Sequence, residues 1–174
     1  MAEPKRALLV IDMLNDFLLP GAPLEVPAGR AVIPNIAREI AAARAEGVPV
    51  VYVCDNHKPD DPEFAQWPPH CVSGTPGADV VKELAPRPED ALVPKTTYSG
   101  FFGTELEKRL RGVGAESLIV TGMLTDICVY WTVGEAALRG WRSTVVRDCV
   151  AAAAEQDHET ALRQMQRLFG AKVR

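Results

Sequence analysis

Three side chains of this sequence could together carry out nucleophilic catalysis: the thiol of Cys128, the carboxylate of Asp12 and the ammonium of Lys95. A thiol attacks carbonyl carbon once a base takes its proton, and a carboxylate can be that base. A lysine beside them keeps the carboxylate ionised and adds positive potential near the thiolate. Taken singly, Cys128 could equally be a small buried hydrophobe, Asp12 a loop cap and Lys95 a surface residue. As a set, the three side chains indicate covalent catalysis.

The residues before Cys128 suggest how its thiol could be activated. Thr125 or Asp126 is predicted to cap a helix, which would place Cys128 in the first helical turn. There the positive end of the helix dipole lowers the pKa of a thiol, and free backbone N–H groups can hold an oxyanion. The other cysteines have no comparable context, no CxxC spacing and no need to form disulfides in a chain of this length, so we predict three structural thiols: Cys54, Cys71 and Cys149.

A second group of side chains has the composition of a metal site. Asp55 and His57 are separated by one residue, and Glu63 and His70 follow in the same segment. Carboxylate and imidazole ligands suit zinc, and they also accept iron or manganese. The spacing is not that of a structural zinc finger, and an exposed loop can contain such residues without binding a metal.

The elements that must position these groups are indicated by four continuous apolar runs, which are residues 7–11, 48–53, 117–120 and 144–146. Strands buried on both faces have this pattern, which is typical of a parallel sheet covered by helices. Helical periodicity separates the runs, so we predict a three-layer α/β/α fold that is doubly wound, with a mostly parallel sheet. The carboxyl ends of its strands would gather Asp12, Asp55 and the segment containing Cys128 at one edge.

The helical patterns have recognisable starts and stops. In the first, Pro34 is predicted to lie in the first turn and Gly47 to end the helix. Two further helices are predicted within residues 129–140 and 161–169. Residues 18–29 and 54–77 lack such periodicity, and the second of these loops contains five of the fourteen prolines and two of the three histidines. A loop of this length inside a compact domain is usually functional, so we predict a metal-binding loop over residues 54–77.

Composition limits the class of protein. The chain has 174 residues, of which 47% are hydrophobic, and a net charge of −4 without a basic cluster. These values predict a single domain over residues 1–174 that binds a small molecule and neither nucleic acid nor a membrane. The apolar run near the N-terminus is too short for a signal peptide, so we expect a cytoplasmic protein. Homo-oligomer formation is left open.

Taken in order, the segments VIDMLNDF, DNH, WPPHCVSGTPG, PKTTYSGF, TGMLTDICV and FGAKV resemble the nicotinamidase/pyrazinamidase branch of the isochorismatase-like cysteine hydrolase superfamily. The resemblance covers nearly the whole chain. It implies a catalytic triad of Asp12, Lys95 and Cys128, and an oxyanion hole made by the backbone N–H groups of Leu124 and Cys128, with a cis peptide bond before Leu124. It also implies a divalent metal ion, most often zinc, and a set of four ligands: Asp55, His57, Glu63 and His70.

The activity that the resemblance implies is hydrolysis of nicotinamide to nicotinate and ammonia through a cysteine thioester, in pyridine nucleotide salvage. Phe17, Trp67 and Tyr98 would then enclose the flat ring, although each could simply be a core residue. Two alternatives stay open. One is a related cysteine hydrolase that acts on another small amide or carbamoyl compound, and the other is a non-catalytic ligand- or zinc-binding module. The chain is short for this branch, which predicts a more open pocket.

Overall fold

The computed structural model describes residues 5–174, in which six parallel strands form one sheet in the order β3-β2-β1-β4-β5-β6. The strands are β1 (Arg6–Ile11), β2 (Val50–Asp55), β3 (Ala91–Lys95), β4 (Ser117–Met123), β5 (Arg142–Ala151) and β6 (Lys172–Val173). Helices lie between them: α1 (Asn15–Leu18), α2 (Pro27–Ala45), α3 (Leu106–Gly112), α4 (Tyr130–Leu138) and α5 (Glu155–Phe169). This architecture confirms the predicted doubly wound α/β fold.

Helices cover both faces of the sheet, which explains the continuous apolar runs. In β1, Leu9 and Ile11 belong to a core with α3, α4 and α5, whereas Leu8 and Val10 belong to a core with α1 and α2. Because successive side chains of a strand point to opposite faces, every residue of such a strand must be apolar. No helix within residues 5–174 has both the length and the apolar character needed to cross a membrane.

Several predicted boundaries require correction. β2 begins at Val50 rather than residue 48 and includes Asp55, so the first two residues of the predicted loop belong to the strand. Helix α2 begins with Pro27 in its first turn, and Pro34 lies inside it. In its first turn Gly29 packs closely against Leu18 and Met123, where a Cβ would lie 2.6 Å from a Leu18 methyl carbon. β3 and β6 were not predicted, since β3 alternates exposed and buried residues at one side of the sheet and β6 has only two residues.

The strand order changes direction next to β1, where β2 lies on one side and β4 on the other. Open α/β sheets bind ligands at this position, beyond the carboxyl ends of the strands. β1 and β4 approach closely there: Gly122 pairs with Ile11, has φ +110°, and a Cβ on it would lie 2.0 Å from the Ile11 carbonyl oxygen. Glycine at this position therefore lets the strand ends meet beside Asp12.

Candidate active site

The fold brings Asp12, Lys95 and Cys128 together, all of them buried. Lys95 is the last residue of β3, and its Nζ lies 2.7 Å from Asp12 Oδ2 and 3.5 Å from Cys128 Sγ. The same Nζ donates to Asp55 Oδ1 at 2.5 Å, and the Asp55 N–H donates to Asp12 Oδ1 at 2.8 Å. One ammonium group thus connects the candidate nucleophile with two carboxylates, of which Asp55 belongs to the predicted metal site.

Burial and charge separate the acidities of the two carboxyl groups. Burial and the neighbouring charge of Asp55 raise the pKa of Asp12 to about 6, although Lys95 opposes this shift. Burial also acts on Asp55, but Lys95 and the two imidazoles outweigh it and hold its pKa well below the usual range. Burial alone would lower the pKa of Lys95, and the two carboxylates raise it well above its ordinary value. Asp55 and Lys95 therefore stay charged, whereas Asp12 can exchange a proton near neutral pH.

Cys128 lies in the first turn of a helical segment, but the predicted lowering of its thiol pKa is wrong. Burial raises the pKa of its thiol well above the ordinary value, with Lys95 opposing the shift and the charges of Asp12 and Asp55 adding to it. The thiol therefore carries its proton until a base removes it.

Neither Thr125 nor Asp126 caps the helix. Cys128 lies in a π-helical turn, Thr125–Val129, whose N-cap is Leu124, and the Leu124 carbonyl accepts hydrogen bonds from the Ile127 and Val129 N–H groups. Thr125 Oγ1 instead makes a 2.9 Å hydrogen bond with Nδ1 of His158, which ties the turn to α5. The sequence motifs did not single out His158.

The backbone at this edge has two unusual features. Asp12 has φ +51°, a left-handed conformation that costs a non-glycine residue free energy and recurs at functional sites. The Met123–Leu124 peptide bond is cis, as the family resemblance implies. Leu124 and Cys128, the residues proposed from the resemblance to hold an oxyanion, both line the same cavity.

Three of the four predicted metal ligands form one group. Ligand atoms of Asp55, His57 and His70 lie within 4.8 Å of one another, and all three residues are buried. Glu63 lies outside this compact group but lines the same cavity as Asp55 and His70. Burial and the charge of Asp55 raise the pKa of Glu63.

The histidines are oriented as a metal would require. His70 Nδ1 lies 2.8 Å from the Pro68 carbonyl oxygen, to which it can only donate, so in the neutral ring the lone pair lies on Nε2, 3.8 Å from Asp55 Oδ2. Neither ring nitrogen of the fully buried His57 completes a well-aligned hydrogen bond with the protein. Buried polar atoms are rarely left in this state, and a cation between His57, His70 and Asp55 would satisfy His57 Nε2, which lies 3.8 Å from Asp55 Oδ1. The residues present therefore fit a divalent metal ion.

Side chains outside the predicted set hold the loop in place. Asp16 Oδ2 accepts the Cys71 N–H at 2.7 Å, directly after His70. A Cβ on Gly77 would lie 2.1 Å from that same oxygen, so glycine is needed where the end of the loop passes Asp16. The only signal for Asp16 in the sequence was its place in the VIDMLNDF segment.

A cavity of about 490 Å³ connects the two groups of polar residues, a volume within the usual range for small-molecule sites, about 300–1,000 Å³. All three predicted wall residues, Phe17, Trp67 and Tyr98, line it. Trp67 Nε1 donates to the Tyr98 hydroxyl at 3.0 Å, and the Phe17 ring lies 5.5 Å from the His70 ring. Apolar residues from the segment before α2, among them Leu24 and Val26, complete the lining.

Comparison with known proteins identifies the family. The isochorismatase domain matches residues 6–174. A probable inactive nicotinamidase from Arabidopsis thaliana is 33% identical over 181 residues, which cover 97% of this chain and 92% of that protein. Among solved structures, pyrazinamidase of Pyrococcus horikoshii in complex with zinc is 34% identical with a TM-score of 0.92, covering 98% of this chain and 99% of the other. N-carbamoylsarcosine amidase from Thermoplasma acidophilum is 37% identical with a TM-score of 0.90, covering 98% and 95%.

This chain therefore belongs to the isochorismatase family of hydrolases, which confirms the resemblance drawn from its motifs. Its relatives are named for different activities, so membership of the family leaves the substrate to be argued from the site.

Proposed function

We propose that this protein is a nicotinamidase, which hydrolyses nicotinamide to nicotinate and ammonia. The observation that carries the proposal is that one cavity joins two sites: the Asp12–Lys95–Cys128 group and the Asp55–His57–His70 group. The first suits cleavage of an amide, and the second suits a metal that binds the nitrogen of a pyridine ring. The similarity to a pyrazinamidase in complex with zinc supports both parts.

In the first half of the reaction, Asp12 takes the proton of the Cys128 thiol as sulfur attacks the amide carbonyl carbon. The backbone N–H groups of Leu124 and Cys128 stabilise the oxyanion of the tetrahedral intermediate. The carbon–nitrogen bond then breaks, Asp12 gives its proton to the leaving nitrogen, and ammonia departs. A nicotinoyl thioester on Cys128 remains.

In the second half, Asp12 takes a proton from water as the water oxygen attacks the thioester carbonyl. The carbon–sulfur bond breaks, the sulfur takes the proton back from Asp12, and nicotinic acid leaves, giving its carboxyl proton to the released ammonia or to water as nicotinate forms. Lys95 remains charged throughout and stabilises the negative charge on Asp12 and on the sulfur. The product is the acid that a pathway of pyridine nucleotide salvage would use.

Asp55, His57 and His70 would hold the metal, and Glu63 is placed to add an oxygen ligand or to hold water beside it. When bound, the cation supplies a Lewis acid that orients the ring nitrogen. Nitrogen and carboxylate ligands favour zinc, with iron and manganese as alternatives. Phe17, Trp67 and Tyr98 would pack against the ring.

Two other functions have support in particular observations. The similarity to N-carbamoylsarcosine amidase favours a hydrolase for another small amide or carbamoyl compound with the same triad. The similarity to a probable inactive nicotinamidase favours a non-catalytic binding module. The buried Asp12–Lys95–Cys128 group argues for an enzyme, because a binding module gains nothing from burying two carboxylates and an ammonium beside a thiol.

Ammonia release from a panel of amides tests the three functions. The zinc-loaded protein and its Cys128→Ala variant would be assayed with nicotinamide, pyrazinamide, N-carbamoylsarcosine and benzamide. We expect release from the first two amides that disappears in the variant. Turnover of N-carbamoylsarcosine alone would replace the proposed substrate. Activity with none of the panel would favour the binding module if Cys128 also reacted with a thiol reagent no faster than free cysteine.

A further inference from the structure

We infer that Asp61 is a positioning residue for the candidate metal site. One of its carboxylate oxygens faces the imidazole of His57, and the other holds the turn that carries Glu63. The inference rests on the metal part of the proposed function. Asp61 takes no part in the bond-making steps and acts through the residues it orients.

The first contact selects a tautomer of His57. Asp61 Oδ2 lies 3.2 Å from His57 Nδ1, and the two side chains are 11% and 0% exposed. An ionised carboxylate can only accept a hydrogen bond, so of the two neutral tautomers of His57 it favours the one with its proton on Nδ1. The lone pair then lies on Nε2, which is 3.8 Å from Asp55 Oδ1. This is the tautomer that a metal between His57 and Asp55 requires.

The second contact fixes the turn that packs against both histidines. Asp61 Oδ1 accepts the Glu63 N–H at 2.9 Å and caps the short 3-10 helix Pro62–Ala65. Phe64, in the same turn, has its ring 5.3 Å from the His57 ring and 5.6 Å from the His70 ring. Asp61 therefore holds Glu63 toward the cavity and Phe64 against the imidazoles.

The two contacts can be separated by substitution. In Asp61→Asn, the amide oxygen can still cap the turn, since asparagine is as good a cap as aspartate. Its NH₂ group then faces His57 Nδ1, and because it donates, it favours the tautomer with the proton on Nε2. Asp61→Ala removes both contacts. Asp60 offers a matched control, because it is exposed and Asp60→Asn makes the same change of charge one residue away.

The decisive measurement is the zinc dissociation constant of metal-stripped protein, obtained by competition with a chromogenic chelator. Loss of a partner of a metal-ligating histidine typically costs about 10–100-fold in affinity. We expect a loss of this size for both Asp61→Asn and Asp61→Ala, and wild-type affinity for Asp60→Asn. Nitrogen NMR of the imidazole rings should place the His57 proton on Nδ1 in the wild type and on Nε2 in Asp61→Asn.

Several results would overturn the inference. Wild-type affinity in Asp61→Asn with loss only in Asp61→Ala would leave Asp61 as a helix cap alone. An equal loss in Asp60→Asn would show that Asp61 acts only through the negative charge of the loop. A wild-type protein that binds no zinc would show that the metal site itself does not exist. A protein that turns over no nicotinamide yet gives the expected order of zinc affinities supports the inference and contradicts only the proposed substrate.

Discussion

The two ends of the cavity are built in different ways. At the triad end, Asp12 directly follows β1, Lys95 ends β3, and Cys128 lies in the turn after β4, so the hydrogen-bonded sheet sets their positions. At the metal end, only Asp55 belongs to a strand. His57 and His70 lie in the loop, which an isolated bridge between His57 and Val72 and a few side-chain contacts hold in place.

The difference suggests a division of tasks. A nucleophile and its base must keep their geometry closely, and parallel strand ends buried on both faces provide it. A loop held by side chains can change in sequence without disturbing the sheet. On this view the sheet determines the bond that is cleaved, and residues 56–77, with the other wall residues of the cavity, determine the compound that is bound.

Lys95→Met should have the largest effect, because Lys95 contacts Asp12, Asp55 and Cys128 at the triad end of the cavity. It leaves Asp12 and Asp55 buried without their counter-charge, and breaking a buried charge pair costs about 3–5 kcal/mol. Urea unfolding should show this loss, and amide hydrolysis should vanish. In the matched variant Lys108→Met, which removes an exposed lysine paired with Glu105, we expect little change in either measurement. A stable Lys95→Met protein would contradict the charge balance described for the site.

His70→Ala should break the metal end and leave the triad end intact. Removing a ligand should lower zinc affinity by about 100-fold or more, at least as much as the loss of a ligand's partner. We expect KM for nicotinamide to rise while the alkylation rate of Cys128 by a thiol reagent stays at the wild-type value. Because the His70 ring also contacts Phe17, circular dichroism would check that the fold is kept. A His70→Ala protein that alkylates more slowly would show that the two ends are not separable.

The pH dependence should report the protonation of Asp12. The base must be ionised to accept the thiol proton, so kcat/KM should fall about tenfold per unit below the pKa of Asp12, which is about 6. Stability should change in the opposite direction. Because folding raises this pKa from 3.8, ionising Asp12 opposes folding, and its contribution to stability is lost as pH rises from about 4 through about 6. Urea unfolding of Asp12→Asn should lack this component, and the same pH slope in both proteins would contradict the assignment.

Trp67→Phe should have the smallest effect, because Trp67 lines the cavity between the triad end and the metal end and belongs to neither group. It removes the hydrogen bond to the Tyr98 hydroxyl, a contact worth about 0.5–1.5 kcal/mol. KM for nicotinamide should rise severalfold with kcat little changed. Tyr98→Phe should have the same effect, and the double variant should be no worse than either single one. Additive effects would show that the two rings act independently.

The same contrast explains what the sequence could predict. β1 and β4 could be predicted because strands buried on both faces are apolar throughout. β3 could not, because its residues are alternately exposed and buried and it contains Pro94. The grouping of Asp12, Lys95 and Cys128 as a catalytic set could be predicted from their chemistry and from the family resemblance. The direction of the Cys128 pKa shift could not be predicted, since it follows from burial by distant segments. The role of Asp61 depends on a loop conformation that local patterns do not specify.

The most direct test of the central claim is whether Cys128 carries the acyl group of nicotinamide during turnover. Zinc-loaded protein would be mixed with nicotinamide, quenched in acid within the first turnover, digested and examined by mass spectrometry. We expect a nicotinoyl adduct on the peptide that contains Cys128, absent from Cys128→Ala and not on Cys54, Cys71 or Cys149. Ammonia release from nicotinamide by the Cys128→Ala variant, or an adduct on another cysteine, would contradict the proposed mechanism.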